Sequence, residues 1–101
     1  MDPDLSDLTI ADVVISLAGR DAGHMFYVIG TDGPFLMLVN GKDRTIEKPK
    51  RKKTKHTKKV LRSETRVAAK LRNGDKVLNS ELRRDLAYLS REMQGNNLGG
   101  F

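Results

Sequence analysis

The chain contains no cysteine and no tryptophan, and only three prolines and five aromatic residues among its 101 positions. Lack of cysteine excludes disulfide scaffolds, cysteine-based zinc sites and thiol chemistry together. The longest unbroken apolar runs, residues 25–29 and 35–39, have five residues each, far short of the roughly 20 that a membrane-spanning helix needs. The opening Met1-Asp2-Pro3-Asp4-Leu5-Ser6-Asp7 is acidic and shows neither the basic nor the apolar region of a secretory signal. A soluble, cytoplasmic protein is the expectation. Histidine is scarce as well: His24 and His56 are the only two, and His56 sits among lysines that repel any cation nearby. Without a carboxylate at ligand spacing the pair makes a poor metal site, and no catalytic constellation or phosphate-loop motif accompanies it. No enzyme, metal, cofactor or small-molecule substrate is expected.

What the chain does have is enough apolar material for one small domain, together with a very uneven distribution of charge. Leu, Ile, Val and Phe number 26, above the level typical of disordered chains, and the length suits a single core. Formal net charge is +6, but residues 1–40 carry a net −5, residues 41–62 a net +9 and residues 63–101 a net +2. A block as basic as residues 48–59 repels itself, which predicts an extended or mobile arm until a polyanion neutralises it.

Local patterning predicts a mainly β fold. After a loose acidic lead-in over residues 1–11, the β-branched run at 13–18 reads as a strand, and Gly19-Arg20-Asp21-Ala22-Gly23 as a tight loop. Residues 25–29 and 35–39 are two further strands, separated by turn residues at 30–34, and Asn40-Gly41 is a hairpin signal. Arg44-Thr45-Ile46-Glu47 reads as a short fourth strand stopped by Pro49, and Val60-Leu61 as part of a fifth. Short strands with tight turns predict a small antiparallel barrel over residues 12–62. The second and third strands are apolar at nearly every position, so both of their faces need cover. Residues 63–101 are expected to supply it as a helical extension packed on the barrel. Asn79 reads as the N-cap of a helix whose stripe is Leu82, Leu86, Leu89 and Met93, stopping before Gly95 with a frayed tail from about residue 95. A weaker helical segment covers residues 64–72 and ends at Asn73-Gly74. Phe26, Tyr27 and Phe35, set among aliphatics, read as core.

The segment Ile15-Ser16-Leu17-Ala18-Gly19-Arg20-Asp21-Ala22-Gly23, followed by an aromatic-aliphatic strand, resembles the KOW motif of large-subunit ribosomal proteins and transcription elongation factors. Gly19 and Gly23 match its loop glycines, whereas Phe26 stands where many KOW sequences have a third glycine. With Arg44-Thr45-Ile46-Glu47-Lys48-Pro49-Lys50-Arg51-Lys52-Lys53-Thr54-Lys55-His56 included, the chain resembles the small stand-alone bacterial KOW-domain RNA-binding proteins. Those are similar to archaeal and eukaryotic-type ribosomal KOW proteins. The resemblance covers about residues 12–60 and, loosely, the C-terminal helix. It implies an SH3-like barrel that binds structured RNA, with ribosomal RNA of the large subunit as the expected partner and neighbouring ribosomal proteins as further contacts.

The residues support that expectation physically. Gly19 and Gly23 permit positive φ and a close approach of backbone to phosphate. Arg20 offers a planar fork for two phosphate oxygens, His24 stands beside the loop as an RNA contact, and Asp21 is assigned to bracing the loop or orienting Arg20. Lys48, Lys50, Arg51, Lys52, Lys53, Lys55, Lys58 and Lys59, with His56 among them, provide phosphate contacts that give affinity without sequence information. Neutralising six to eight phosphates predicts a slope of log affinity against log salt of roughly −4 to −7. Arg83, Arg84 and Arg91 are secondary contacts or simply a solvated face. The basic stretch has no apolar residue to insert into a membrane, and no recognition helix for DNA is evident. The competing reading is a protein-interaction module contacting polymerase or a ribosomal protein, favoured if the barrel is left with an exposed apolar patch. A monomer is expected.

Overall fold

A computed structural model describes residues 8–99, with side chains described through residue 94. Its first element, β1 (Asp12–Ser16), pairs antiparallel with β2 (Met25–Asp32), and β2 with β3 (Phe35–Val39). β3 in turn pairs with β4 (Lys50–Lys53), and β5 (Thr57–Arg62) returns to the far side of β1. The resulting sheet is antiparallel with strand order β4-β3-β2-β1-β5. Two helices follow, α1 (Arg66–Asn73) and α2 (Asn79–Gly99). The architecture is mainly β and consistent with a small SH3-like barrel, although β4 and β5 are not hydrogen-bonded to each other and the sheet is not closed. None of the described helices is long and apolar enough to cross a membrane.

Both faces of the apolar strands are buried. Val13, Tyr27 and Val39 point to one side and pack with Val67 and Ala68 of α1 and Leu82, Leu86 and Leu89 of α2. Val14, Phe26, Val28, Leu36 and Leu38 point to the other side. Among the described residues no helix packs on these five, yet each is at most 2% exposed, with Leu8 against them and the sheet curled around them. Register shifts between Val13 and Val14 against β5, and between Val28 and Gly30 against β3, supply the bends that curl it. The helical stripe read from the sequence therefore does its expected work, with Met93 half-buried at its end.

Several local expectations are corrected. The basic stretch is no free arm: it forms β4, the 3-10 turn Thr54–His56 and β5. Alternation explains this, because Lys50 and Lys52 share a face of the sheet with Leu38 and Leu36 while Arg51 and Lys53 take the other. Arg44-Thr45-Ile46-Glu47 is a turn with a single bridge from Thr45 to Lys48, not a strand. Its backbone is held by side chains instead: Asn40 Oδ1 accepts from Lys42 and Arg44 N–H, and Asn79 Oδ1 from Ile46 N–H. Asn79 is thus an anchor for that turn and not an N-cap. Glu81 accepts the Leu78 N–H at 3.0 Å and closes the helix start from within. β2 runs on to Asp32, so the turn is the Gly33-Pro34 pair alone.

Helix α2 continues through Gly95 to Gly99, since glycine costs about 1 kcal/mol inside a helix but bars no helical dihedral. Within the lead-in, residues 1–7 lie outside the described residues. Ala11 is fully buried at φ 71°, held by its N–H on Val28 O at 2.8 Å. Phe35 is half-buried, not core, with the Arg51 guanidinium 4.0 Å from its ring centre. Gly41 is required by close approach: a Cβ there would lie 2.3 Å from the Asn79 carbonyl oxygen, where α2 meets the β3–β4 connection.

Candidate nucleic-acid interface

The loop between β1 and β2 is shaped by two glycines in left-handed backbone, Gly19 at φ 85° and Gly23 at φ 88°. Around Gly23 a Cβ would meet nothing within 4 Å, so that position demands glycine for its dihedral and leaves its surface open. The loop is closed by Gly23 N–H on Ser16 O at 2.8 Å and Ser16 N–H on His24 O at 3.0 Å. It also reaches the edge strand β4 and the 3-10 turn that follows it. Leu17 N–H donates to His56 O at 2.8 Å, and Lys52 Nζ donates to Ala18 O at 2.8 Å. The loop therefore stands beside the basic corner formed by β4, the 3-10 turn and β5.

Asp21 is the centre of this junction. Its Oδ1 accepts from Ser16 Oγ at 2.7 Å and Lys52 Nζ at 2.9 Å, and Lys50 Nζ lies 3.2 Å from Oδ2. Burial alone would push its carboxyl up, but hydrogen bonds from Lys52, Ser16 and Lys50 outweigh that and hold it well below the usual carboxylate range. Asp21 braces the loop, as expected, and it does so by gripping the two inward lysines of β4.

The structure therefore sorts the sequence-derived residues into two groups. Lys50, Lys52 and Lys59 turn inward: Lys52 is 8% exposed, and Lys59 Nζ lies 3.5 Å from the fully buried Asp12 carboxylate. Arg51 is exposed but engaged, 3.1 Å from Asp32 and stacked over Phe35. Arg20, Lys48, Lys53, Lys55, His56 and Lys58 face solvent, and among the described residues the five cations of that set, His56 aside, take part in no ion pair. His24 is exposed and 3.8 Å from Asp43.

Sequence reasoning named Arg20, His24, Lys50 and Arg83 but missed that the fold joins them, with Lys42 and Arg44, along one cleft. Arg20, His24, Arg44 and Lys50 line a shallow cleft of about 310 Å³ over Phe26, which continues past Asp43 to Lys42 and Arg83. Arg83 is fixed there by donating to Gly41 O at 2.6 Å. The signal was the Asn40-Gly41 pair: read as a hairpin turn, it instead folds residues 40–44 back towards the loop at Gly23.

A second polar network lies on the helix side and is structural. The Tyr27 hydroxyl is bonded to Asp85, with Ser63 Oγ at 2.8 Å and Thr65 Oγ1 at 3.3 Å. Thr65 donates to Asp85 at 2.9 Å while accepting Ala68 N–H as the N-cap of α1. Burial, with the Asp85 carboxylate beside it, pushes the Tyr27 phenol up to about 12. No protein-family model matches the chain, and no curated protein matches it.

Proposed function

We propose that this chain binds structured RNA without catalysis, as a KOW-type module in the cytoplasm, with ribosomal RNA of the large subunit as its target. The observation that carries the reading is the division of labour at the basic corner. Asp21 and Asp12 hold Lys50, Lys52 and Lys59 within the fold, while Arg20, Lys48, Lys53, Lys55 and Lys58 remain outward around an open glycine loop. Outward lysines and arginines of this kind recognise phosphate position, and the loop at Gly23 leaves room for a sugar-phosphate backbone to approach. A basic corner with few exposed rings suits folded RNA read by shape.

Five outward cations bring the expected salt slope to roughly −3.5 to −4.5, shallower than all eight basic residues would give. A protein-interaction role draws less support, because the apolar face that it needs is covered by Leu82, Leu86 and Leu89. Sedimentation of native lysate through sucrose gradients at low and high salt tests the target. Comigration with the large subunit, lost as salt rises, is expected. Migration at the top of the gradient at every salt would remove the ribosome from the proposal.

A further inference from the structure

The rings of this protein differ in what already covers them. Phe26 and Tyr27 are fully buried, and Phe35 is capped by Arg51. Tyr88, on α2, is 47% exposed. Arg84 and Arg91 stand four residues before and three after it, which places all three on one helix face. With Val67, Glu81 and Asp85 they line a concavity of about 360 Å³ where α1 meets α2.

Both carboxylates in that concavity are engaged elsewhere. Glu81 is 2.8 Å from Lys70 Nζ and accepts the Leu78 N–H. Asp85 accepts from Thr65 and is bonded to Tyr27. Arg84 and Arg91 are exposed and form no ion pair among the described residues. The rim is therefore cationic around an uncapped ring.

We infer that Tyr88, flanked by Arg84 and Arg91, is a stacking site for one unpaired RNA base, with the two guanidiniums taking the adjoining phosphates. This rests on the proposed RNA binding and extends it: the basic corner reads the shape of a folded RNA, and the helix face reads an unstacked nucleotide within it. An aromatic ring offers a base a sequence-tolerant platform, and arginines beside it supply phosphate contacts. Charge decides between partners here, because two free arginines around the ring favour a polyanion over an apolar protein surface.

The test uses the full chain with Tyr88→Trp, a unique fluorophore in a protein that has no tryptophan. Two end-labelled RNA hairpins serve as probes, identical except that one carries a single-nucleotide bulge. Label anisotropy reports binding and tryptophan emission reports stacking. The bulged hairpin is expected to quench the emission and the fully paired one to leave it unchanged. Tyr88→Ala should weaken binding of the bulged hairpin roughly tenfold at unchanged thermal stability, with Tyr88→Phe restoring it. Binding of both hairpins with equal affinity, unquenched emission and no effect of Tyr88→Ala would overturn the stacking site and leave this face to a protein partner. Absence of binding to either hairpin would instead overturn the RNA-binding proposal itself, and the stacking site with it.

Discussion

Lys52 and Lys53 are neighbours in β4 with the same side chain and opposite fates. Lys52, 8% exposed, donates to Asp21 and to Ala18 O, whereas Lys53 faces solvent. The strand's alternation sets this difference, because Lys52 shares its face with Leu36 and Lys53 shares its face with Phe35. A basic run thus holds two kinds of lysine. One kind ties an edge strand to the β1–β2 loop, and the other is left for a partner. Total charge in a segment overstates the charge available for binding by the number of residues that the fold itself uses.

Removing the inward group's partner should give the largest effect on stability. Asp21→Asn leaves Lys52 near the core without its counter-charge, and should cost about 3 kcal/mol in urea denaturation at pH 7. The sign of the pH dependence follows from the depressed folded value. Asp21 titrates in the unfolded chain at roughly 3.9, so its contribution is complete above about pH 5 and is lost as pH falls through 4 towards the folded value. The stability gap between the natural protein and Asp21→Asn should accordingly narrow between pH 5 and 3, on the order of the ordinary carboxylate range. A gap that stays constant would show that Asp21 acts by shape and not by charge.

The paired lysines sharpen the comparison at smaller magnitude. Lys52→Met removes a charge-assisted hydrogen bond to Asp21 and should cost about 2 kcal/mol. Lys53→Met should change stability by less than about 0.5 kcal/mol. RNA affinity should respond to Lys53→Met through the salt slope, which drops by roughly 0.7 to 0.9 for one phosphate contact. Equal stability losses at the two positions would erase the distinction between inward and outward lysines.

The architecture was legible where pattern and chemistry coincide. Strands with apolar residues at every position announced two covered faces, and the Leu82, Leu86 and Leu89 spacing announced the helix that covers one of them. The left-handed glycines of the loop were legible from the spacing of Gly19 and Gly23. Strand β4 was not, because Lys-Arg-Lys-Lys has no apolar alternation to read; its place depends on Asp21, 31 positions away from Lys52 in sequence. The same non-local cause moved Asn79 from an N-cap to a turn anchor, since Ile46 N–H and Glu47 reach it only in the folded chain. The Leu82, Leu86 and Leu89 stripe already turns Tyr88 outward; what the sequence did not show is the concavity that Val67 of α1 builds beside it with Arg84 and Arg91.

The central claim is that the outward cations, and not the basic stretch as a whole, carry affinity for structured RNA. Its most direct test measures affinity for a folded RNA hairpin against salt concentration, for the natural protein and for Lys53→Gln, Lys55→Gln and Lys58→Gln combined. The natural protein should give a slope of roughly −3.5 to −4.5, and the triple variant one shallower by roughly 2 to 3, with an unchanged melting temperature. An unchanged slope in the triple variant, or no binding by the natural protein at low salt, would contradict the account.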